Sequence, residues 1–100
     1  MTLEDVLRDI HAMREDLLLF ERKYGVPTEM FYEAYRRGEE PADSSWVLDW
    51  GEWAASYRIL EERLATFAEE SRRLLQSAQI ASYADLIART ARHESIPVSL

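Results

Sequence analysis

The sequence of 100 residues has no cysteine, only three glycines, three prolines and two histidines. Without cysteine the chain forms no disulfide, no thiolate metal site and no cysteine nucleophile. So few glycines and prolines leave little material for the many turns of an all-β fold, which favours a helical fold. The missing cysteines also fit a reducing compartment, and we expect the protein to be cytoplasmic.

Long apolar runs and an excess of basic residues are missing as well. No stretch approaches the roughly 20 apolar residues of a membrane span, and the acidic, amphipathic N-terminus is unlike a secretory signal. The net charge is −7, and residues 25–53 hold seven acidic residues against two basic ones. Because affinity for phosphates comes mainly from Lys and Arg, this charge disfavours direct nucleic-acid binding and favours a basic protein partner. The alternative is that the acidity only keeps a small protein soluble.

Familiar catalytic and metal-binding patterns are also absent from the sequence. His11 and His93 have no partner at a metal-ligand spacing such as HExxH, and no glycine-rich phosphate-binding motif occurs. Small helical ribonucleases of the HEPN type use an Arg and a His at a fixed spacing, but Arg89 and Arg92 lie too close to His93 to match it. We therefore predict that the protein is not an enzyme and holds neither a metal ion nor a cofactor.

The sequence does contain two long heptad patterns. The first predicts a helix over residues 2–24, which a capping box of Thr2 and Asp5 begins and Gly25 ends. Its apolar positions alternate in spacings of three and four, as in a packing helix: Leu3, Val6, Ile10, Met13, Leu17, Phe20 and Tyr24. Further leucines widen this stripe, so we expect contacts with more than one neighbour; they are Leu7, Leu18 and Leu19.

The second heptad pattern predicts a longer helix over residues 45–79, with a local bend at Gly51. Its stripe runs without a slip through Trp46, Trp50, Trp53, Tyr57, Leu60, Leu64, Phe67, Ser71, Leu74 and Ala78. Between the two patterns, a short helix is expected over residues 28–38, with Thr28 as its N-cap.

Two heptad-patterned helices joined by a short connection predict an antiparallel helical hairpin, within one all-α domain over residues 1–100. The second helix exceeds the first by about three turns, and its stripe there, which includes Phe67 and Leu74, needs a cover. A C-terminal helix over residues 82–94 is one candidate. The remaining residues, 95–100, alternate apolar and polar and look extended. We expect this tail to fray, the alternative being addition to the edge of a partner's sheet.

Four aromatic residues at helical spacing are the most unusual feature of the chain: Trp46, Trp50, Trp53 and Tyr57. We expect their rings to fill one end of the hairpin against the aromatic residues of the first two helices. The alternative is an exposed patch of the Trp- and Tyr-rich kind that dominates protein interfaces.

Several short segments carry a family resemblance: Glu21-Arg22-Lys23-Tyr24-Gly25, Glu29-x-Phe31-Tyr32, Arg37-Gly38-Glu39, Asp49-Trp50 and Glu52-Trp53-Ala54 with Tyr57. In these segments the chain resembles a group of short helical proteins of bacteria and cyanobacteria, described as uncharacterised or as antitoxin-like components encoded beside a small predicted toxin. The resemblance covers about residues 15–65. It implies the antitoxin of a type II toxin–antitoxin pair, which neutralises its toxin by direct protein contact. A basic recognition helix for DNA is absent.

Under this antitoxin hypothesis, two sets of residues contact the toxin. The predicted apolar anchors are Phe67, Leu74, Tyr83, Leu86 and Ile87. The carboxylates that would stand in for the substrate phosphates of a basic, nuclease-like toxin are Glu39, Glu40 and Asp43. We expect replacement of Leu74 and Ile87 by Asp to abolish the complex and to leave residues 1–60 folded.

The competing hypothesis is a self-associating structural or adaptor protein. Heptads of this length can pair two copies into a homodimer, in which the overhang of one copy covers that of the other. The solution mass of the chain distinguishes the two hypotheses.

Overall fold

The computed structural model describes residues 1–99, which form four α-helices. The helices are α1, Leu3–Tyr24; α2, Thr28–Arg36; α3, Val47–Gln76; and α4, Tyr83–Ala91, and a short 3-10 turn, Ser44–Trp46, precedes α3. The described part of the chain contains no β-strand, so the predicted all-α class is confirmed. None of its helices is long and apolar enough to cross a membrane.

Helices α1 and α3 pack against each other as the predicted hairpin requires. Near the start of α1, Asp9 Oδ2 lies 3.0 Å from Nε of Arg63, in the second half of α3. Near the end of α1, Lys23 Nζ lies 2.6 Å from Oδ2 of Asp49, in the first turn of α3. The two helices are therefore antiparallel.

The chain divides into two compact units. The terminal unit combines Met1–Ile10 with the chain from Glu62 onwards, and the central unit is His11–Glu61. Each unit has a core of its own, because α1 and α3 contribute different residues to each.

A stack of aromatic rings around the buried Trp53 forms the core of the central unit. The rings of Phe31 and Trp53 lie face to face with centroids 3.8 Å apart, and Tyr24 and Phe20 stack on Trp53 at 5.5 and 5.7 Å. The predicted packing of the aromatic cluster within the hairpin is confirmed, since its other rings find aromatic partners too. Those pairs are Trp46 with Tyr24, Trp50 with Phe31, and Tyr57 with Tyr32.

Thr28 links three helices in this unit rather than capping α2. Its backbone N–H and its hydroxyl both donate to Oε2 of Glu21, at 2.9 and 2.7 Å. Its Oγ1 accepts a hydrogen bond from Nε1 of Trp53 at 3.0 Å. Pro27 occupies the N-cap position. The predicted N-cap role of Thr28 is therefore wrong, because a carboxylate from α1 takes the donors at the start of α2.

The core of the terminal unit joins α1, α3 and α4 through Leu3, Leu74, Ile80 and Leu86. Helix α4 therefore covers the end of α3 within the same chain, as the sequence offered as one possibility. The partly buried Phe67 packs against this core from α3.

The C-terminal tail lies beside the start of α1. The Leu3 N–H donates to the carbonyl of Ile96 at 2.9 Å, and the Val98 N–H donates to the carbonyl of Met1 at 3.1 Å. The side chains of Ile96 and Val98 pack against the terminal core. The prediction of fraying over residues 95–100 is therefore wrong up to residue 99; the last residue lies outside those the structure describes.

Two helices begin with side-chain caps, and the one at the start of α1 is the predicted capping box. In the capping box of α1, the Thr2 N–H donates to Asp5 Oδ2 at 2.9 Å, and the Asp5 N–H donates to Thr2 Oγ1 at 3.3 Å. Ser82 caps α4 by accepting from the Asp85 N–H at 3.0 Å. Helix α3 begins only at Val47, after the 3-10 turn, and continues through the position of the predicted bend without a break.

Three helix ends fall two or three residues before the predicted positions. Helices α2, α3 and α4 each close with a residue at positive φ: Gly38 at 83°, Ala78 at 60° and His93 at 59°. In α3 the Gln79 N–H donates to the carbonyl of Leu74 at 3.0 Å. This is the Schellman closure, which stops a helix by turning the chain left-handed. Of these three residues, only Gly38 could be recognised from the sequence as the end of a helix, because glycine is the residue that normally adopts positive φ.

Candidate protein-interaction grooves

A groove between α3 and α4 contains four of the five predicted apolar anchors. We call it the α3–α4 groove; its volume is about 370 Å³, and it is lined by Phe67, Ala68, Ser71, Arg72, Tyr83, Leu86 and Ile87. Ser82 caps α4 and thereby fixes where that helix begins. The first turns of α4 share the groove with residues in the second half of α3. The structure thus brings residues from two neighbouring stretches of sequence into one surface.

The predicted anchors differ in how far they are available to a partner. Tyr83 is 50% exposed and Ile87 is 66% exposed, so both present apolar surface to solvent. Leu86 is only 5% exposed and points into the terminal core, although part of it lines the groove. Leu74 is 3% exposed and does not line the groove, so its assignment as a surface anchor is wrong. It is a core residue because α4 folds over it.

The charged side chains of α4 lie outside the lining of the α3–α4 groove, and two of them pair with each other. Asp85 Oδ1 lies 3.3 Å from Arg89 Nε, and its other oxygen accepts the Ala81 N–H at 2.9 Å. The Ala81 N–H, followed by the nearby guanidinium groups of Arg89 and Arg92, lowers the pKa of Asp85 below its ordinary range. Arg72 is the one charged side chain in the lining described here. The groove therefore favours apolar ligand side chains over charged ones.

The predicted acidic residues lie in the central unit, while the apolar anchors lie in the terminal unit. Glu39 and Glu40 are exposed and line a hollow of about 440 Å³ together with Tyr35 and Trp50. Asp43 instead holds the 3-10 turn, since its Oδ1 accepts from the N–H and the hydroxyl of Ser45 at 2.8 and 2.7 Å. These bonds, the hydroxyl first, lower the pKa of Asp43. Asp43 therefore has a structural role in the described conformation.

A second groove, between α1 and α3 in the central unit, was not predicted. We call it the α1–α3 groove; its volume is about 580 Å³, and it is lined by Met13, Asp16, Leu19, Phe20, Lys23, Asp49, Glu52, Ala55, Ser56 and Ile59. One sequence feature pointed towards it: Leu18 and Leu19 widen the stripe of α1, and both are exposed. No helix of residues 1–99 covers them, so both present apolar surface to solvent.

Asp49 closes one end of the α1–α3 groove through two hydrogen bonds. Its Oδ2 accepts from Lys23 Nζ and from the Tyr24 hydroxyl, both at 2.6 Å. The bond from Lys23, and then that from Tyr24, lowers the pKa of Asp49, while the same contact raises the pKa of Lys23. Burial, followed by the bond to Asp49, raises the pKa of Tyr24. The Lys23 charge is thus neutralised by Asp49, and the carboxylates of Asp16 and Glu52 dominate the groove.

The remaining polar features carry no assembled chemistry. His11 and His93 are both exposed, in different units. Residues 1–99 hold no group of three or more His, Asp or Glu side chains placed to bind one metal ion. Nε1 of Trp50 is buried and has no hydrogen-bond partner among the described residues.

Comparison with known proteins identifies no relative: no protein-family model, no curated protein and no solved structure matches this chain. The resemblance to antitoxin-like proteins therefore stays an expectation from the sequence.

Proposed function

We propose that the protein is a cytoplasmic, non-catalytic binding protein, the antitoxin of a type II toxin–antitoxin pair, which holds a basic toxin by direct contact. One observation carries the proposal: Phe67, Tyr83, Leu86 and Ile87, chosen from the sequence as toxin contacts, line a single groove. Tyrosine and phenylalanine are enriched in protein interfaces, and tyrosine is common among the residues that contribute most to binding. The resemblance to antitoxin-like proteins over residues 15–65 indicates that this partner is a toxin.

The net charge supports a basic partner. The whole chain carries −7, which accelerates encounter with a positively charged protein and repels nucleic acid. The α3–α4 groove then receives apolar side chains of that partner, because most of its lining side chains are apolar. Charge brings the two proteins together, and the burial of Tyr83 and Ile87 holds them.

The experiment is co-expression of this chain with the product of the adjacent gene, with host growth and co-purification as readouts. We expect the neighbour to arrest growth when expressed alone and this chain to restore it. Ile87→Asp buries a charge in the interface and is expected to weaken the complex at least about tenfold. The matched control is Leu48→Asp, a highly exposed aliphatic residue of the central unit that lines neither groove; this variant should still rescue growth.

Leu74→Asp is not a useful test, because it would place a charge in the core of the terminal unit. Tyr83→Ser is the second informative variant, since half of Tyr83 is exposed and its loss leaves the core intact. A neighbour that is harmless, or that is rescued equally well by the Ile87→Asp and Tyr83→Ser variants, would overturn the proposal.

A further inference from the structure

We infer that the α1–α3 groove binds a basic amphipathic helix of a partner protein. This inference goes beyond the proposed function, since it concerns a different unit and a different ligand from those of the α3–α4 groove. Its failure would leave the proposal for the α3–α4 groove untouched, because the variants that test the two grooves lie in separate units.

The dimensions of the groove suit a short helix. On α1 its lining runs from Met13 to Lys23, and on α3 it runs from Asp49 to Ile59. Each stretch is about 15 Å long at the helical rise per residue. A helix bound in a groove inserts anchors at positions i, i+4 and i+7, which span about 11 Å. Such a ligand therefore fits along the groove with its anchors inside.

The apolar lining gives such a helix surface to cover. Leu19 is 64% exposed on α1, and Ile59 is exposed on α3. Met13, Phe20 and Ala55 are partly exposed between them. Solvent-exposed apolar side chains on two adjacent helices form a contiguous patch, and such patches mark interaction sites. Burial of this patch by ligand side chains favours binding.

The charges select a basic ligand. Asp16 and Glu52 line the groove, and Lys23, the only cation among the lining residues described, is held by Asp49. The central unit as a whole carries eleven acidic and six basic residues, a net charge of −5. Nucleic acid, an anionic membrane surface and the central unit of a second copy would all be repelled. A helix with Lys or Arg beside its apolar stripe would instead place cations near Asp16 and Glu52.

The probe is a synthetic, fluorescein-labelled peptide of about 18 residues, or five helical turns. It has Leu at the i, i+4, i+7 and i+11 positions and Lys and Ala elsewhere. A second peptide replaces every Lys by Glu and keeps the leucines. Fluorescence anisotropy with the full-length protein measures the dissociation constant of each peptide. We expect the Lys peptide to bind, its affinity to fall with added salt, and the Glu peptide not to bind.

Two matched pairs of variants locate the binding site. Leu19→Ser is expected to weaken binding of the Lys peptide about tenfold, whereas Met30→Ser, equally exposed at 60% but outside the groove, leaves it unchanged. Asp16→Asn is expected to weaken binding about threefold. Its control is Glu15→Gln, the adjacent residue with the same loss of charge, which does not line the groove. Circular dichroism checks that every variant keeps its helix content.

Each possible result either supports the inference or overturns it. Weaker binding in both groove variants and unchanged binding in both controls supports the inference. Absence of binding by the Lys peptide overturns it. Equal weakening by Asp16→Asn and Glu15→Gln, without an effect of Leu19→Ser, would show attraction to the acidic surface as a whole and would also overturn it. Binding of the Glu peptide with similar affinity would contradict the selection for a basic ligand.

Discussion

At the scale of single residues, two tryptophans one helical turn apart on α3 differ in the hydrogen bonding of their indole N–H groups. Nε1 of Trp53 donates to Thr28, which in turn donates to Glu21, so this indole belongs to a satisfied buried network. Nε1 of Trp50 is buried without a partner among residues 1–99. A buried donor without an acceptor costs free energy, whereas a satisfied one contributes to stability.

The two tryptophans therefore predict different costs for the same substitution. Trp53→Phe is expected to lower the free energy of unfolding by about 2–4 kcal/mol, because it replaces a fully buried indole by a smaller phenyl ring and removes a buried hydrogen bond. Trp50→Phe is expected to lower it by less than about 1 kcal/mol, because loss of the unsatisfied donor offsets part of the lost packing. Urea unfolding of both variants measures the difference. Equal losses would contradict the assigned hydrogen bonding.

Residue roles were predictable only where they depend on local sequence. The spacing of Leu74 and Ile87 marks both as apolar positions on helices, but it does not show which of them another element covers. Leu74 is buried because α4 folds back on α3, whereas Ile87, one position after the buried Leu86, lies at the edge of the α3–α4 groove and is exposed. This distinction needs the tertiary structure.

At the scale of elements, the positions of the helix ends depend on residues at positive φ. Periodicity predicted α1 and α3 well, since their stripes are long. The ends of α3 and α4 were predicted too late, because Ala78 and His93 adopt the left-handed conformation that glycine normally supplies. Sequence reasoning has no local cue for a helix end that relies on alanine.

Ala78→Gly is expected to stabilise the protein by about 1 kcal/mol, because glycine adopts the left-handed conformation without the strain that a Cβ causes. Ala78 is exposed, so the substitution removes little packing. The matched control is Ala65→Gly, an exposed position inside α3, which is expected to destabilise by about 1 kcal/mol. A shift of both urea midpoints in the same direction would contradict the Schellman closure.

Ser99 in the C-terminal tail lies beside Glu70, a buried residue of α3, and both line one surface hollow. The Oε2 atom of Glu70 lies 2.9 Å from Arg73 Nε. The bond from Arg73, and then the nearby Ser99 N–H, lowers the pKa of Glu70 from its ordinary 4.5, although burial opposes the change. A lowered pKa means that the ionised group stabilises the folded state above about pH 4.5 and loses this effect as the pH falls through the lowered value.

Glu70→Gln is therefore expected to reduce the urea midpoint at pH 7 and to approach the wild-type midpoint as the pH falls towards 3. Glu69→Gln is the control, because Glu69 is exposed on the adjacent position, and it should show no such dependence on pH. A gap between Glu70→Gln and the wild type that stays constant from pH 7 to pH 3 would show that the Glu70 charge does not stabilise the folded state.

At the scale of the whole molecule, the heptad patterns predicted the helical hairpin. They did not show that the hairpin divides into two compact units. The tail was expected to fray because sequence alternation cannot show that residues 96–98 lie beside the start of α1. The α1–α3 groove was missed because Leu19 was interpreted as a contact within the fold. The α1–α3 and α3–α4 grooves thus lie in different units.

The most direct test of partner binding is the solution mass of the chain, measured by light scattering alone and after co-expression with the product of the adjacent gene. The chain has a mass of 11.7 kDa. We predict a single species of that mass when it is alone, and a larger species containing both proteins in a fixed ratio after co-expression. A stable homodimer that forms alone and does not take up the neighbour would contradict the account and favour the self-associating protein.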